Sequence, residues 1–325
     1  MHLYGAQPMK ELLQARNLTR YYADYCAVDN VSITLNTGDI LGLLGPNGAG
    51  KTSTMSMLTG NLAPSKGEIL IKGSNLADKP RQAKQSIGYL PEQPPVYRDL
   101  TVDEYLRYAA RLRGIKGADI SVAVDRSCKR TGLNDVTRRL IGNLSKGYQQ
   151  RVGIAQAIIH EPDVIILDEP TVGLDPIQIR EIRELIKELG TRHGVILSTH
   201  ILPEVQAVCN RIHILHQGRI VYDDRDIDAA ENKQLIVRFG KDVDVNLLLE
   251  LSSISNVIRQ EASRYIVHHH PDSNPANAIA NMAIANHWGL LELTPSSMGL
   301  EHIFVSLTQG EESNTDEQLD EAEVA

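Results

Sequence analysis

The sequence predicts an α/β fold with a parallel central sheet and an inserted helical subdomain, followed by a smaller α+β unit. Short, largely apolar runs alternate with helical patterns up to about residue 230. Such runs suit strands that are covered on both faces, and their alternation with helices favours a parallel sheet. Beyond residue 230 the pattern changes. We therefore expect an α/β domain over residues 9–230, an α+β domain over 231–308 and a tail over 309–325.

Three apolar runs are the candidates for buried strands, at residues 40–44, 164–167 and 194–198. The best-signalled helix runs from Pro176 to Leu189, because Asp175 can cap it and proline suits its first turn. The apolar face of this helix consists of Ile179, Ile182, Leu185, Ile186 and Leu189. These elements define the core of the predicted α/β domain.

Residues 98–160 show helical spacing in place of the alternation. Apolar and aromatic side chains recur at that spacing, namely Tyr105, Leu106, Tyr108, Ala109 and Leu112. We expect a helical subdomain inserted into the α/β core over about residues 88–160.

The smaller unit has the element order βαββαβ, which is that of a ferredoxin-like domain. Strands are expected at 235–239, 256–258, 264–267 and 288–293, and helices at 245–251 and 275–287. A last helix is expected at 296–307.

The net charge of −8 is concentrated at the end of the chain. Residues 311–325 carry seven carboxylates and no Lys or Arg, so subtracting them leaves −1 for the first 310 residues. A near-neutral body argues against a protein that coats nucleic acid, since such proteins have a basic excess. The tail, with one sign of charge and few apolar residues, is expected to be disordered.

The three cysteines, Cys26, Cys128 and Cys209, are widely spaced and form no CxxC pair. Their number and spacing suggest neither a disulfide framework nor a zinc site, and they fit a reducing cytoplasm. The first eighteen residues lack a signal pattern, and no apolar run approaches the ~18 residues that span a bilayer. We expect a soluble chain located in the cytoplasm.

The segment GPNGAGKT is a full match to the phosphate-binding pattern G-x-x-x-x-G-K-[ST]. It follows the first buried strand and precedes a helical stretch, which is the structural context that the motif requires. Glycines let consecutive N–H groups turn toward phosphate oxygens, and the helix N-terminus adds a positive dipole end. Lys51 is expected to reach the β- and γ-phosphates, and Thr52 to bind magnesium. The predicted nucleotide-binding residues here are Gly45, Pro46, Asn47, Gly48, Ala49, Gly50, Lys51, Thr52 and Ser53.

Two carboxylates, Asp168 and Glu169, end the apolar run VIIL. Taken alone, this pair suits a helix cap as well as a catalytic site, since Pro170 and Thr171 follow. With the phosphate-binding loop 117 residues upstream, the catalytic interpretation is favoured. Asp168 is then expected to hold magnesium, and Glu169 to act as the general base on water.

The block LSKGYQQRVGIAQAIIHEPDVIILDEPTVGLDP, residues 144–176, resembles the signature-to-D-loop block of ABC ATPases. The resemblance covers roughly residues 10–223. Against the family pattern LSGGQ, Ser145 and Gly147 match, whereas Lys146 and Tyr148 depart. In that family the signature faces the γ-phosphate that is bound by the other subunit.

The resemblance implies roles for further residues. Tyr22 resembles the aromatic residue that stacks on adenine, with Tyr21 and Tyr25 as rivals. Asp175 resembles the D-loop aspartate at the dimer interface. His200, in LSTH, resembles the switch histidine that contacts the γ-phosphate.

The Q-loop position is ambiguous, because Glu92 stands where the family usually has glutamine and Gln93 follows it. Either side chain could sense magnesium and water. Both stay candidates for this role.

One phosphate-binding loop and one signature per chain imply a homodimer with two composite ATP sites. The resemblance further implies ATP and Mg²⁺ as cofactors and a separate membrane permease as partner. The permease would dock near residues 88–120 and hold the chain peripherally on the cytoplasmic face of the membrane. The segments IGYLPEQPPVY and LSKGYQQRVGIAQAI resemble the exporter-type group that includes gliding-motility and multidrug ATPases, so export is expected over import.

Two alternative functions are disfavoured by the sequence. The first is a soluble ABC ATPase acting on DNA or the ribosome. The 117 residues from Lys51 to Asp168 leave no room for the long coiled coils of DNA-clamp ATPases, and the chain has one ATPase unit where translation-type members carry two. No nucleic-acid partner is therefore expected. A P-loop kinase outside the ABC family is disfavoured by the signature and by His200.

Overall fold

The computed structural model describes residues 10–224, 234–261, 263–270, 273–295 and 304. Contacts divide the chain into two compact units, Met1–Asp223 and Asp224–Ala325. The predicted domain boundary at residue 230, most of the predicted last helix and the acidic tail lie outside the described residues. Within the described residues, no helix is both long enough and apolar enough to cross a membrane.

The first unit contains ten strands and seven α-helices in the described part of the chain. In chain order these elements are β1 (Glu11–Tyr22), β2 (Tyr25–Asn36), β3 (Ile40–Leu44), α1 (Lys51–Leu58), β4 (Lys66–Ile71), β5 (Ser74–Asn75), α2 (Pro80–Gln85), β6 (Ile87–Leu90), α3 (Val102–Leu112), α4 (Asp119–Thr131), α5 (Lys146–Ile158), β7 (Val164–Asp168), α6 (Pro176–Gly190), β8 (Gly194–Thr199), α7 (Leu202–Val208), β9 (Arg211–His216) and β10 (Arg219–Asp224). Three of the strands and helix α6 agree with the sequence predictions to within one or two residues.

The central sheet has six strands in the order β10-β9-β3-β8-β7-β6. Strands β9, β3, β8, β7 and β6 pair with one another in parallel. Every residue of β3, β7 and β8 is buried, as the apolar runs require. Because the strands are parallel and in register, Leu44 lies beside Thr199, and Asp168 beside Ser198. The loops that follow β3, β7 and β8 therefore leave the sheet at one edge.

A second sheet, in the order β2-β1-β4-β5, is antiparallel and was not predicted from the sequence. Its inner face packs against the central sheet and α1, with Leu13, Ile33 and Ile69 in the same core as Leu41 and Met55. The sheet forms because the hydrophobic positions of β1 and β2 alternate with polar ones, which suits strands with one solvated face.

The helical subdomain consists of α3, α4 and α5, which pack around one core. Helix α3 begins with a capping box, in which Thr101 and Glu104 satisfy each other's backbone N–H groups. Residues 88–90 differ from the prediction, since they form the end of β6 and pair with β7. Of the predicted helical residues, Tyr105 and Leu106 are buried, whereas Leu112 is 69% exposed.

The second unit contains β11 (Gln234–Phe239), α8 (Val245–Leu249), β12 (Ile254–Glu261), β13 (Arg264–His269), α9 (Ala276–Ala285) and β14 (Leu290–Pro295). The sheet is antiparallel with the order β12-β13-β11-β14. These elements follow the predicted βαββαβ order. An aromatic core holds them, since Phe239 packs edge-on against Trp288, with ring centroids 5.2 Å apart, and also contacts Tyr265.

Candidate active site

A cleft of about 490 Å³ opens where the loops after β3, β7 and β8 leave the central sheet. The phosphate-binding loop, the end of β7 and the segment after β8 all contribute side chains to it. Its lining residues are Tyr22, Tyr25, Ala27, Asn47, Gly48, Gly50, Lys51, Thr52, Ser53, Glu92, Glu169, Val172 and His200. Residues from five separate parts of the sequence, at 22–27, 47–53, 92, 169–172 and 200, are thus brought together.

The phosphate-binding loop depends on glycine at two positions. Gly48 and Gly50 have φ angles of 82° and 99°, a region that side chains rarely adopt. A Cβ at position 50 would also lie 2.5 Å from the carbonyl oxygen of Ala27. Helix α1 begins at Lys51 without a side-chain cap. The N–H groups of its first turn therefore face the loop, where phosphate oxygens can accept from them.

Lys51 is 6% exposed, and its ammonium is held within the loop. Its Nζ donates to the carbonyl oxygens of Gly45 at 2.8 Å and Pro46 at 3.0 Å, and lies 3.6 Å from Oε1 of Glu169. Burial lowers the pKa of Lys51, and the negative charge of Glu169 partly opposes this shift. A buried cation held largely by neutral carbonyl groups is suited to bind an anion.

Glu169 occupies a strained backbone position beside His200. Its φ is 47°, which is unusual for a residue other than glycine and costs about 1–3 kcal/mol. The Glu169 N–H donates to the hydroxyl of Ser198 at 3.0 Å, and this bond holds the conformation. His200 Nδ1 lies 3.1 Å from each oxygen of the Glu169 carboxylate. The strain therefore serves to present this carboxylate to the cleft.

Asp168 is 1% exposed and has one oxygen available for a ligand. Oδ1 accepts a short hydrogen bond from Ser198, while Oδ2 is buried and has no hydrogen-bond partner among the described residues. Burial raises the pKa of Asp168, and the hydroxyls of Ser198 and Thr52 lower it. A buried, unpartnered carboxylate oxygen near a threonine hydroxyl fits Mg²⁺, which prefers oxygen ligands.

Comparison with known proteins identifies the family. A family model described as "ABC transporter" matches residues 28–172. The chain is 31% identical over 314 residues to the linearmycin resistance ATP-binding protein LnrL of Bacillus subtilis (strain 168), covering 91% of this chain and 98% of that protein. The chain belongs to the ABC transporter ATP-binding proteins. It is therefore an ABC ATPase, and the α/β fold predicted from the sequence is confirmed.

Two further comparisons concern this ABC ATPase core. The chain is 39% identical over 215 residues to the bacitracin transport ATP-binding protein BcrA of Bacillus licheniformis, covering 66% of this chain and 69% of that protein. A solved structure titled "Structure of ATP binding subunit of ABC transporter" superimposes with a TM-score of 0.60 at 34% identity. That superposition covers 66% of this chain and 89% of the solved chain. The ATP-binding function predicted from the sequence is confirmed.

Tyr22 and Tyr25 both line the cleft of this ABC ATPase, whereas Tyr21 lies outside the lining. The Tyr22 hydroxyl is 3.4 Å from Oγ of Ser53, in the first turn of α1. The guanidinium of Arg20 lies 5.0 Å from the centroid of the Tyr22 ring. One face of the ring is thereby occupied, which leaves the other for a base. The assignment of Tyr22 to adenine stays a prediction.

The two Q-loop candidates differ in the cavities that they line. Glu92 lines the cleft beside Glu169 and raises the pKa of Asp168. Gln93 lies outside the lining of the cleft and lines a neighbouring cavity of about 630 Å³, which Glu92 and Lys146 also line. Glu92 is therefore the candidate nearer to the nucleotide-binding loop of the same chain.

The signature residues lie away from the cleft of their own chain. Ser145 caps α5 and accepts from the N–H of Tyr148 at 3.4 Å. Gly147 is buried and packs closely against Gln178, whose side chain would lie 2.3 Å from a Cβ added at position 147. Asp175 caps α6 and accepts from two N–H groups of its first turn. A single chain thus does not bring these residues to Lys51.

Sequence reasoning missed three residues around Asp168, Glu169 and His200. Ser198 holds both Asp168 and Glu169, while Thr199 and Glu204 lie behind His200. The hydroxyls directly before His200 in LSTH were a signal for the first two residues. Glu204 had no signal beyond its place four residues after the histidine.

Proposed function

We propose that this ABC ATPase works as a homodimer with two composite ATP sites and drives export through a separate membrane permease. The dimer is supported by the separation, within one chain, between the cleft and the signature residues. Lys51 and Glu169 line one cleft, whereas Ser145 and Gly147 lie outside it. A second copy, arranged head to tail, would supply its signature to that cleft. ATP would then join the two subunits, and hydrolysis would release them.

Within each composite site, Glu169 would accept a proton from the water that attacks the γ-phosphate. His200, in contact with that carboxylate, would orient Glu169 and reach the γ-phosphate. The Lys51 ammonium would exchange its bonds to Gly45 and Pro46 for phosphate oxygens. Magnesium, when bound by Asp168 and Thr52, would neutralise charge on the phosphates. Glu92 would sense that site from the Q-loop.

The permease would dock on the helical subdomain and the segment that leads into it. Tyr97 is 54% exposed and its ring lies 5.7 Å from that of Tyr108, which is 40% exposed. Together with Leu112, these two tyrosines expose apolar and aromatic surface in the region where the family binds its permease. Such an interaction would place the chain peripherally on the cytoplasmic face of the membrane.

Export is favoured by the names of two relatives, which describe bacitracin transport and linearmycin resistance. Resistance to a toxic compound is consistent with its removal from the cell. The alternative, a soluble ABC ATPase acting on nucleic acid or the ribosome, fits poorly with the near-neutral charge of residues 1–310.

The composite sites can be tested by mixing two inactive variants. Ser145→Arg should abolish ATPase activity while leaving ATP binding by the monomer largely intact, because the arginine blocks only the surface offered to the partner. Lys51→Ala should be inactive because its cleft lacks the ammonium group that binds the phosphates of ATP. In a mixed dimer, one site combines the intact cleft of the first variant with the intact signature of the second. Partial ATPase activity should therefore return on mixing. Ser145→Arg that hydrolyses ATP normally, or a mixture that stays inactive, would contradict the composite site.

The permease can be tested by isolating membranes from cells that express the tagged chain. The wild-type chain should sediment with membranes and purify with a polytopic membrane protein. Leu112→Asp should reduce both, while Val221→Asp, at an exposed position on β10, serves as the matched control. Purification with ribosomes or nucleic acid instead would favour the alternative function.

A further inference from the structure

A buried carboxylate outside every predicted motif lies behind Glu169 and His200. Glu204 is in the first turn of α7 and is 4% exposed. Its Oε1 accepts from the hydroxyl of Thr171 at 2.6 Å, and its Oε2 accepts from the hydroxyl of Thr199 at 2.8 Å. Both oxygens of one buried side chain are thus used to join two segments of the chain.

These two segments carry the proposed catalytic residues. Thr171 follows Glu169 by two residues and is 5% exposed, and Thr199 directly precedes His200 and is fully buried. The Thr199 hydroxyl also accepts from the N–H of Ile201 at 3.1 Å, so it holds the backbone on the far side of His200 as well. Glu204 therefore connects the backbone beside the base to the backbone beside the histidine.

The connection matters because the strand pairing ends just before Glu169 and His200. Asp168 and Ser198 form the last paired position between β7 and β8. Beyond it, Glu169 bends into a left-handed conformation, and His200 leaves the sheet with its side chain 41% exposed. The 3.1 Å contacts between Nδ1 of His200 and the Glu169 carboxylate depend on how these two ends are held.

We propose that Glu204 is a positioning residue for ATP hydrolysis, which holds Glu169 and His200 in contact through Thr171 and Thr199. It lies outside the lining of the cleft, so it acts on the rate of hydrolysis and leaves ATP binding to the phosphate-binding loop. This inference rests on the proposed roles of Glu169 and His200.

A carboxylate suits this position because each threonine hydroxyl has one proton to donate and Glu204 supplies two acceptor oxygens. Glutamine has nearly the same shape and can accept from one hydroxyl and donate to the other. Alanine removes both bonds and leaves two buried hydroxyls without their partner. The conservative change should therefore keep the two segments joined, and the truncation should not.

The test compares Glu204→Ala and Glu204→Gln in the full chain, with kcat and KM from phosphate release and the Kd for ATP from equilibrium binding. Glu204→Ala should lower kcat by roughly 100-fold, as a misplaced catalytic group does, with KM and Kd near wild type. Glu204→Gln should recover most of kcat. Glu184→Ala, at an exposed position on α6, is the control.

Two further variants keep the test valid if Glu204→Ala fails to fold. Thr171→Val and Thr199→Val preserve volume and each remove one donor to Glu204. Each should lower kcat without changing the Kd for ATP, and the two losses should be non-additive if the residues act as one unit.

A Glu204→Ala variant with kcat close to wild type would overturn the proposal. So would a parallel loss of kcat, ATP affinity and melting temperature in all of the variants, which would indicate a purely structural role. The proposed function has a separate test. Normal hydrolysis by Glu169→Gln would contradict the assignment of Glu169 as the general base, whatever the result for Glu204.

Discussion

Replacing Glu169 with glutamine is the most direct test of the proposed chemistry. Glutamine keeps the size of the side chain and its backbone N–H, so the bond to the Ser198 hydroxyl at 3.0 Å is retained. It cannot accept the proton of the attacking water. Positioned general bases contribute roughly 10²–10⁴-fold to rate. We therefore expect kcat to fall by about 100- to 10,000-fold, or about 3–5 kcal/mol in the activation free energy.

The same change alters the electrostatics of the cleft in a predictable direction. Nζ of Lys51 is 3.6 Å from the Glu169 carboxylate, which favours the protonated lysine. Removing the charge should lower the pKa of Lys51 further in the empty protein. Bound phosphates restore negative charge beside the ammonium, so the affinity for ATP should stay within a few-fold of wild type and the ATP-bound dimer should accumulate.

The assay measures phosphate release under saturating ATP, equilibrium binding of ATP, and the oligomeric state by size-exclusion chromatography in the presence of ATP. Glu184→Gln removes the charge of an exposed carboxylate on α6 and serves as the control. Phosphate release by Glu169→Gln within tenfold of wild type would refute the base assignment. A monomer that binds ATP tightly yet never dimerises would refute the composite site.

Three other variants probe separate parts of the chain. Lys51→Ala should weaken ATP binding by about 10- to 100-fold, the loss expected for a charged hydrogen bond, as measured by equilibrium binding; unchanged affinity would remove Lys51 from the phosphate site. Deletion of residues 311–325 should leave kcat for ATP unchanged, because no ATPase motif lies there, and a marked loss would contradict this separation. Tyr265→Phe loses the 2.7 Å bond to Asp242 and should destabilise the second unit by about 1–3 kcal/mol, followed by the fluorescence of Trp288, the only tryptophan in the chain. An unfolding transition of Trp288 identical to that of wild type would show that this bond contributes nothing.

Much of the fold followed from local patterns. The apolar runs at 40–44, 164–167 and 194–198 correspond to β3, β7 and β8. Strands buried on both faces consist almost wholly of apolar residues, so they stand out in the sequence as short apolar runs. The antiparallel sheet of β1, β2, β4 and β5 was missed, since its pairings join residues as far apart as Leu13 and Ile71 and leave only a weak alternation in the sequence.

The residues of the candidate site also divide into those that local sequence identifies and those that it does not. The loop that contains Lys51 could be recognised from eight consecutive residues, because backbone conformation and helix start are both local properties. Which Q-loop residue faces the cleft could not be recognised, since Glu92 and Gln93 differ only in the direction that the chain takes after β6.

The sequence by itself determined the phosphate-binding loop, the carboxylates at the end of β7 and the family, because these depend on residues that are close together in the chain. Only the tertiary structure decided that Glu169 contacts His200 and that Glu204 joins the segments beside them. The contacts of Glu169 with His200 and of Thr171 with Glu204 connect residues 31 and 33 positions apart, and they exist because β7 and β8 pair in parallel and in register. Strands β7 and β8 are buried on both faces and lack the alternation that could fix their register from the sequence, so only the tertiary structure brings their two loops into one site.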